Sequence, residues 1–299
     1  MKLSQLNHLV AIVAHGSLRA AARHLNVPQP VLTRSIGLLE KELGGALFTR
    51  ETKGMALTPV GRLFHTRASA IVHESQRALE EFSQTLGNER GTVVAALSIM
   101  PHVGMLSQAL PLFRARYPQV RLQLIEGLFP DVEGKLRDGS VDFYMGAAPR
   151  IKPMPGLRID LLFENTRTIV GRKGHPLTRS RSLKALAAAD WAITSVDHHA
   201  DQDLQQLFAS HGLPAPNILL HARSALSMMV ALANSDLLAI LPVQWDEFAL
   251  TKNALEVVRI REVLPAPAIV LVKRPDLPLT PAAGYLVDML LRQIPRGKT

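Results

Sequence analysis

The chain has 299 residues, 47% of them hydrophobic and 20% charged, with a formal net charge of +9 and no cysteine. The missing thiols exclude disulfides, thiolate metal sites and a cysteine nucleophile. No apolar run approaches the roughly 18 residues that a bilayer span requires, so no membrane partner is expected.

The opening segment MKLSQLNHLV lacks a basic stretch, a long apolar run and a small-residue cleavage site, which argues against export and makes a cytoplasmic location the default. Charge is uneven along the chain. Residues 1–67 hold nine Lys/Arg against three Asp/Glu, whereas residues 68–90 hold two against four. A small basic unit suits a polyanion, because neutralising phosphates releases counterions. A solvated basic face with no partner would carry the same charge.

Leu6, Leu9, Val10 and Val13 recur at helical spacing, and Gly16 ends that helix. Ser17 can cap a second helix through Leu25, built on Ala20, Ala21 and Ala22. After the break at Asn26-Val27-Pro28, Leu32, Ile36, Leu39 and Leu43 form the inward stripe of a third helix that Gly44-Gly45 closes. Its other side carries Gln29, Pro30, Thr33, Arg34, Gly37 and Lys41. Gln can read adenine, Arg can read guanine, and Thr can meet a phosphate or a thymine methyl in a major groove. In helix-turn-helix proteins the start of the second helix of the motif meets base edges. The abrupt turn thus aims one rod at double-stranded DNA, although a plain three-helix unit with a polar face would share the pattern. LFTRETKGMALTPVG (47–61) reads as a two-stranded wing turning at Thr52-Lys53-Gly54, with Arg50 and Lys53 toward phosphates.

Residues 16–64, GSLRAAARHLNVPQPVLTRSIGLLEKELGGALFTRETKGMALTPVGRLF, resemble the winged helix-turn-helix of the LysR-type transcriptional regulators. Gln29-Pro30, Leu32, Arg34, Leu39-Glu40, Leu43-Gly44, Leu47-Phe48, Arg50, Gly54, Leu57-Thr58 and Gly61 stand at that family's spacing. Pro28 replaces the family's usual serine, and Gly37-Leu38 replace positions that are often polar. The resemblance implies DNA contacts from Ser17, Arg19, Gln29, Pro30, Thr33, Arg34, Arg50 and Lys53.

Thr58 and Pro59 open a long helix running to about Gly87-Asn88. Phe64, Ile71 and Ala78, with Ala68, Ser75 and Phe82, outline a heptad seam that needs a cover, either the chain itself or a partner. The resemblance implies a second subunit, hence a homodimer or a homotetramer. HESQR (73–77) lacks the second histidine of a zinc-protease motif and is set aside.

Beyond Gly91, short β-rich runs alternate with helices, which argues an α/β class with mostly parallel sheets. Strands are expected at 92–99, 120–125, 142–145, 168–171, 192–195, 218–221, 238–241 and 269–273, with helices between or after them at 106–117, 131–138, 182–189, 201–211, 224–233, 243–249 and 281–294. LFRARYPQVRLQLIEG, LRDGSVDF, GRKGHPL and NSDLLAILP extend the resemblance over nearly the whole chain, with Ser235-Asp236 where the family often has Gly-x-Gly. It implies two α/β lobes, like periplasmic solute-binding proteins, with an effector cleft between. The expected units are a head at 1–58, a linker helix at 59–90 and an effector domain at 91–299. Its lobe I is about 91–162 plus 266–299, and lobe II about 163–265.

Ligands in such folds sit at the C-terminal ends of strands. That rule selects Met100, Pro101 and His102, then Gly127, Leu128 and Phe129, then the 195–199 loop with His198, and finally Arg223 and Ser224. These groups suit a small organic anion, such as an aromatic carboxylate or sulfonate. DHHADQD (197–203) is better read as a polar loop than a metal site, since adjacent histidines diverge. No cofactor is expected. No P-loop, G-x-S-x-G elbow or HExxH is present, so a ligand-responsive regulator, with RNA polymerase as a further partner, is favoured over an enzyme carrying a DNA-binding head or an exported binding protein.

Overall fold

The computed structural model describes residues 1–51, 54–88, 90–151, 155–194, 200–245, 248, 251–275 and 277–294. Lys53 and His198 lie outside the described residues, as do the side chains of Arg50, Glu51 and Gly54.

Three short helices open the chain: α1 (Leu3–His15), α2 (Leu18–Leu25) and α3 (Gln29–Leu43). Asn26 makes the abrupt turn by adopting a left-handed backbone (φ 53°, ψ 45°), which asparagine tolerates better than most residues. Its N–H meets the last carbonyls of α2, and Pro28 then starts α3 without any side-chain cap. Leu6, Leu9, Ile12, Ala21, Leu32, Ile36 and Leu39 bury together behind α3.

The wing is β1 (Phe48–Glu51) paired antiparallel with β2 (Gly54–Leu57). Its root is bound by two side chains. The Glu40 carboxylate accepts from Leu47 N at 2.7 Å and from Phe48 N at 3.3 Å. Thr58 Oγ1 donates to Ala46 O at 2.8 Å and accepts from Gly61 N at 2.9 Å, so the wing and the next helix share one fastener. A Cβ on Gly61 would stand 2.1 Å from the Leu47 carbonyl oxygen; only glycine lets that helix come so close.

That helix is α4 (Pro59–Thr85), capped by Thr58. It ends two residues before the expected Gly87-Asn88. The two rows read as one seam divide in function. Ala68 is buried in the head core and Phe64 packs against it, whereas Ile71, Ala78 and Phe82 remain exposed, with Leu63, Leu79 and Leu86 exposed beside them.

The far end of α4 docks on its own chain. Arg77, buried, donates through Nε to Asp142 Oδ1 at 2.8 Å and through Nη2 to Gly139 O. The other Asp142 oxygen accepts from Val94 N at 2.7 Å. Gln84 Oε1 accepts from Ala282 N at 3.0 Å, and His73 Nδ1 lies 2.8 Å from Asp138 O.

The remainder forms two five-stranded sheets. The first has the order β4-β3-β5-β12-β6, from β3 (Gly91–Leu97), β4 (Val120–Glu126), β5 (Phe143–Ala147), β6 (Arg158–Phe163) and β12 (Ile269–Lys273). The second is β11-β7-β10-β8-β9, from β7 (Arg167–Arg172), β8 (Asp190–Thr194), β9 (Asn217–Ala222), β10 (Leu237–Pro242) and β11 (Leu255–Val258). Both are mixed rather than mostly parallel. β12 runs antiparallel to β5 and β6, and β7 runs antiparallel to β10 and β11. In each sheet a strand returning from the other lobe supplies the reversed direction. β6 and β11 were not expected.

Helices α5 (Ile99–Pro101), α6 (Ser107–Arg116), α7 (Glu133–Arg137) and α10 (Pro281–Leu291) accompany the first sheet, with a π turn at His102–Leu106. Helices α8 (Ala200–Ser210) and α9 (Ala225–Ala233) accompany the second. The stretches expected as helices at 182–189 and 243–249 are 3-10 turns, Leu183–Leu186 and Val243–Trp245, in the described residues. Among those residues no helix is long and apolar enough to cross a membrane.

Candidate DNA-reading head and interlobe cleft

The first turn of α3 brings together most of the proposed reading side chains. Gln29, Pro30, Thr33 and Arg34 are exposed on one side, while Leu32 and Leu39 are completely buried on the other. Pro30 within the first turn sacrifices no helical hydrogen bond. Thr33 Oγ1 donates to Gln29 O at 3.2 Å, which fixes the hydroxyl and leaves its lone pairs and methyl outward. Arg19 is exposed at the start of α2, and a shallow surface recess runs from it through Arg23 and Asn26 to Gln29. Arg23 and Asn26 thereby join the same face, although sequence reasoning had not selected them. Ser17 is half-buried and spends its oxygen on Ala20 N at 3.2 Å, as the cap of α2.

His8 Nδ1 sits 2.7 Å from Ser35 Oγ and ties α1 to the middle of α3. Burial holds its imidazole below the ordinary histidine pKa. His65 on α4 is lowered in the same way, chiefly by burial.

Between the two sheets lies a narrow cleft that opens to solvent. Its polar lining is Ser98, Glu126, Asn165, Arg167, Thr194 and Ser224, and its apolar lining includes Ile99, Met100, Leu128, Ile240, Pro267 and Ile269. Most strand ends obey the expected rule: β3 leads into Ser98–Met100, β4 ends on Glu126, and Ser224 caps α9 after β9.

Of the residues selected from sequence, Met100, Gly127, Leu128 and Ser224 line this cleft and Pro101, His102, Phe129 and Arg223 do not. Met100 is 1% exposed and belongs to the first lobe's core. Pro101 is buried, and His102 turns its Nδ1 back to Ser98 O at 3.0 Å within the helical turn. Phe129 packs its ring edge-on against Tyr144, 5.2 Å away, because that apolar cluster offers more contact than the cleft wall. Arg223 is exposed outside the lining.

Ser98, Glu126, Asn165, Arg167 and Thr194 were missed. Glu126 precedes Gly127 by one residue, so the strand-end rule would have found it had the strand been extended to its last residue. Asn165 lies in the crossover after β6, a strand that was not foreseen, and Arg167 is the first residue of β7. The Asn165 Oδ1 is buried without a hydrogen-bond partner, an arrangement a bound donor would relieve.

Polar contacts bridge the lobes beside the apolar packing of Ile99 and Val103 with the second lobe. A Glu126 oxygen accepts from Ala225 N at 2.9 Å, at the start of α9. Arg150, just after β5, grips both carboxylate oxygens of Asp203 on α8, with Nη1 at 2.7 Å from Oδ1. Among the described residues no group of three or more His, Cys, Asp or Glu could hold a metal ion.

Comparison with known proteins converges on one family. Residues 3–62 match the model described as "Bacterial regulatory helix-turn-helix protein, lysR family", and residues 86–295 match "LysR substrate binding domain". The Escherichia coli K12 regulator TdcA is 23% identical, over 96% of this chain and 92% of its own. Among solved structures, a full-length OxyR variant from Pseudomonas aeruginosa superposes with a TM-score of 0.71 at 22% identity, covering 97% of this chain and 94% of that one. CbnR complexed with its target DNA gives 0.68 at 20% identity, covering 98% and 100%. These structures share the fold, and the two family matches together span nearly the whole chain. The protein belongs to the LysR family of oligomeric, ligand-responsive, DNA-binding transcriptional regulators, which are not enzymes.

Proposed function

We propose that the chain regulates transcription by reading an interrupted, dyad-symmetric promoter site through Gln29, Pro30, Thr33 and Arg34. Arg19, Arg50 and Lys53 hold the phosphates on either side. The observation that carries this reading is the division of α3, polar and exposed at its first turn and fully buried behind it at Leu32 and Leu39. The net charge of +6 over residues 1–67 supplies the salt-dependent attraction on which base reading builds.

The working unit is a homodimer or a dimer of dimers, joined along the exposed apolar side of α4 at Ile71, Ala78 and Phe82. Two heads on a symmetric dimer meet two half-sites about one helical turn apart or a multiple of it. The effector is a small organic anion, an aromatic carboxylate or sulfonate, bound in the interlobe cleft where the start of α9, Ser224 and Arg167 favour negative charge. Its arrival shifts the lobes, alters packing between dimers and changes the bend or spacing imposed on the promoter, which RNA polymerase then encounters. The protein works in the cytoplasm.

Selection of bound genomic DNA fragments, repeated with and without aromatic acids, tests the whole reading. A recurrent dyad with an acid-dependent footprint is the expected result. Uniform retention of fragments at moderate salt contradicts it.

A further inference from the structure

The cleft already contains an anion of the chain's own. Glu126 ends β4 in the first lobe, and its carboxylate accepts from Ala225 N at the first residue of α9 in the second. A helix start favours negative charge through unpaired N–H groups and the aligned backbone dipoles. Ser224 has already used its oxygen as the cap on Ser227 N, 3.2 Å away. The carboxylate therefore occupies the amide that an acidic ligand would seek. Glu126 also lines the cleft, and it is exposed, so no packing holds it there. The second bridge, Arg150 to Asp203, joins the same two lobes with a charged pair 47% and 30% exposed.

We propose that Glu126 is an internal, displaceable ligand. With Arg150–Asp203 it latches the cleft shut, and an anionic effector opens the latch by taking Ala225 N from Glu126. This rests on the reading of the cleft as the site of an organic anion. It adds that the binding energy is partly used to evict a tethered competitor, so affinity and lobe movement are coupled at one residue. Both bridges involve surface charges, so added salt weakens the latch.

The absence of native cysteine allows two spin labels to report the lobe separation, at Asp131→Cys after β4 and Val230→Cys on α9. Labelled chains are co-expressed with excess unlabelled chain, so that only intrachain pairs contribute. Without any ligand, Glu126→Ala and Arg150→Ala should each move population from a short, narrow distance to longer ones, and Glu126→Gln should lie between. Calorimetry with benzoate and benzenesulfonate on the full chain should show about tenfold tighter binding to Glu126→Ala than to the parent. Identical distance distributions in the parent and Glu126→Ala overturn the latch, whatever the acids do. Looser binding of the acids to Glu126→Ala than to the parent overturns it as well, since Glu126 would then be helping the ligand. A clear distance shift with flat calorimetric traces supports the latch and contradicts the organic-anion reading.

Discussion

Removing the Arg77 guanidinium should be among the most destructive single changes outside the hydrophobic cores. Arg77→Met keeps the length of the side chain but leaves Asp142, itself 7% exposed, with one partner, the Val94 amide at 2.7 Å. Breaking a buried pair from one side typically costs about 3–5 kcal/mol, because the remaining charge is stranded. Gly139 O loses a donor in the same change. Burial already pushes the Asp142 carboxyl above the ordinary aspartate pKa, and Arg77 pulls it back. In Arg77→Met only the Val94 amide and a more distant His73 oppose that rise. A group with a raised pKa in the folded state loses stability as pH rises through that value, so the deficit should shrink toward acid pH. Asp142→Asn retains an oxygen for Val94 N, and adding it to Arg77→Met should restore at least about 1.5 kcal/mol relative to the sum of the single changes. The assay is urea unfolding at one fixed, high protein concentration, because assembly contributes to stability. A cost below about 1 kcal/mol for Arg77→Met, or strict additivity of the pair, would refute the idea that this contact clamps α4 to the first lobe.

Three other changes probe the head. Gly61→Ala drives a methyl to 2.1 Å from the Leu47 carbonyl, so it should cost about 1–3 kcal/mol or more and detach the wing from α4; unaltered unfolding of the head would contradict this. Glu40→Ala strips the acceptor from Leu47 N and Phe48 N and should cost about 1.5–3 kcal/mol, weakening DNA binding to all sequences alike. Fragment competition would expose any change in sequence preference. His8 and His65 both have depressed folded-state pKa values, so the stability they protect is complete above about pH 6.5 and is lost as pH falls below it. Thermal unfolding between pH 7.5 and 5.5 should therefore show an acid loss that the double change His8→Gln, His65→Gln reduces.

The head was legible because punctuation fixed it. Gly16, Ser17, Asn26 and Gly44 sit where helices must start or stop, and the leucine stripe of α3 assigns its inner side without ambiguity. The sheets were legible as segments but not as directions. β11 is only four residues long, and β6 shows no regular alternation of buried and exposed positions, so neither announces itself. Their absence hid two of the antiparallel pairings and, with them, the crossover that leads Asn165 into the cleft. The strand-end rule located the right loops but only some of the right side chains, because it concerns backbone. Phe129 found a better apolar neighbour in Tyr144, and Met100 sank into the core. The Arg77–Asp142 clamp joins residues 65 positions apart, a pairing that no local pattern betrays.

The most direct measurement compares Arg34→Ala with the parent on a selected site and on random duplex, across a salt series. The account predicts a loss of about 1–3 kcal/mol on the selected site, relaxed preference at the base pairs Arg34 faces, and little change on random DNA. Equal affinity of both proteins for the selected site would contradict the claim that the first turn of α3 lies against base edges.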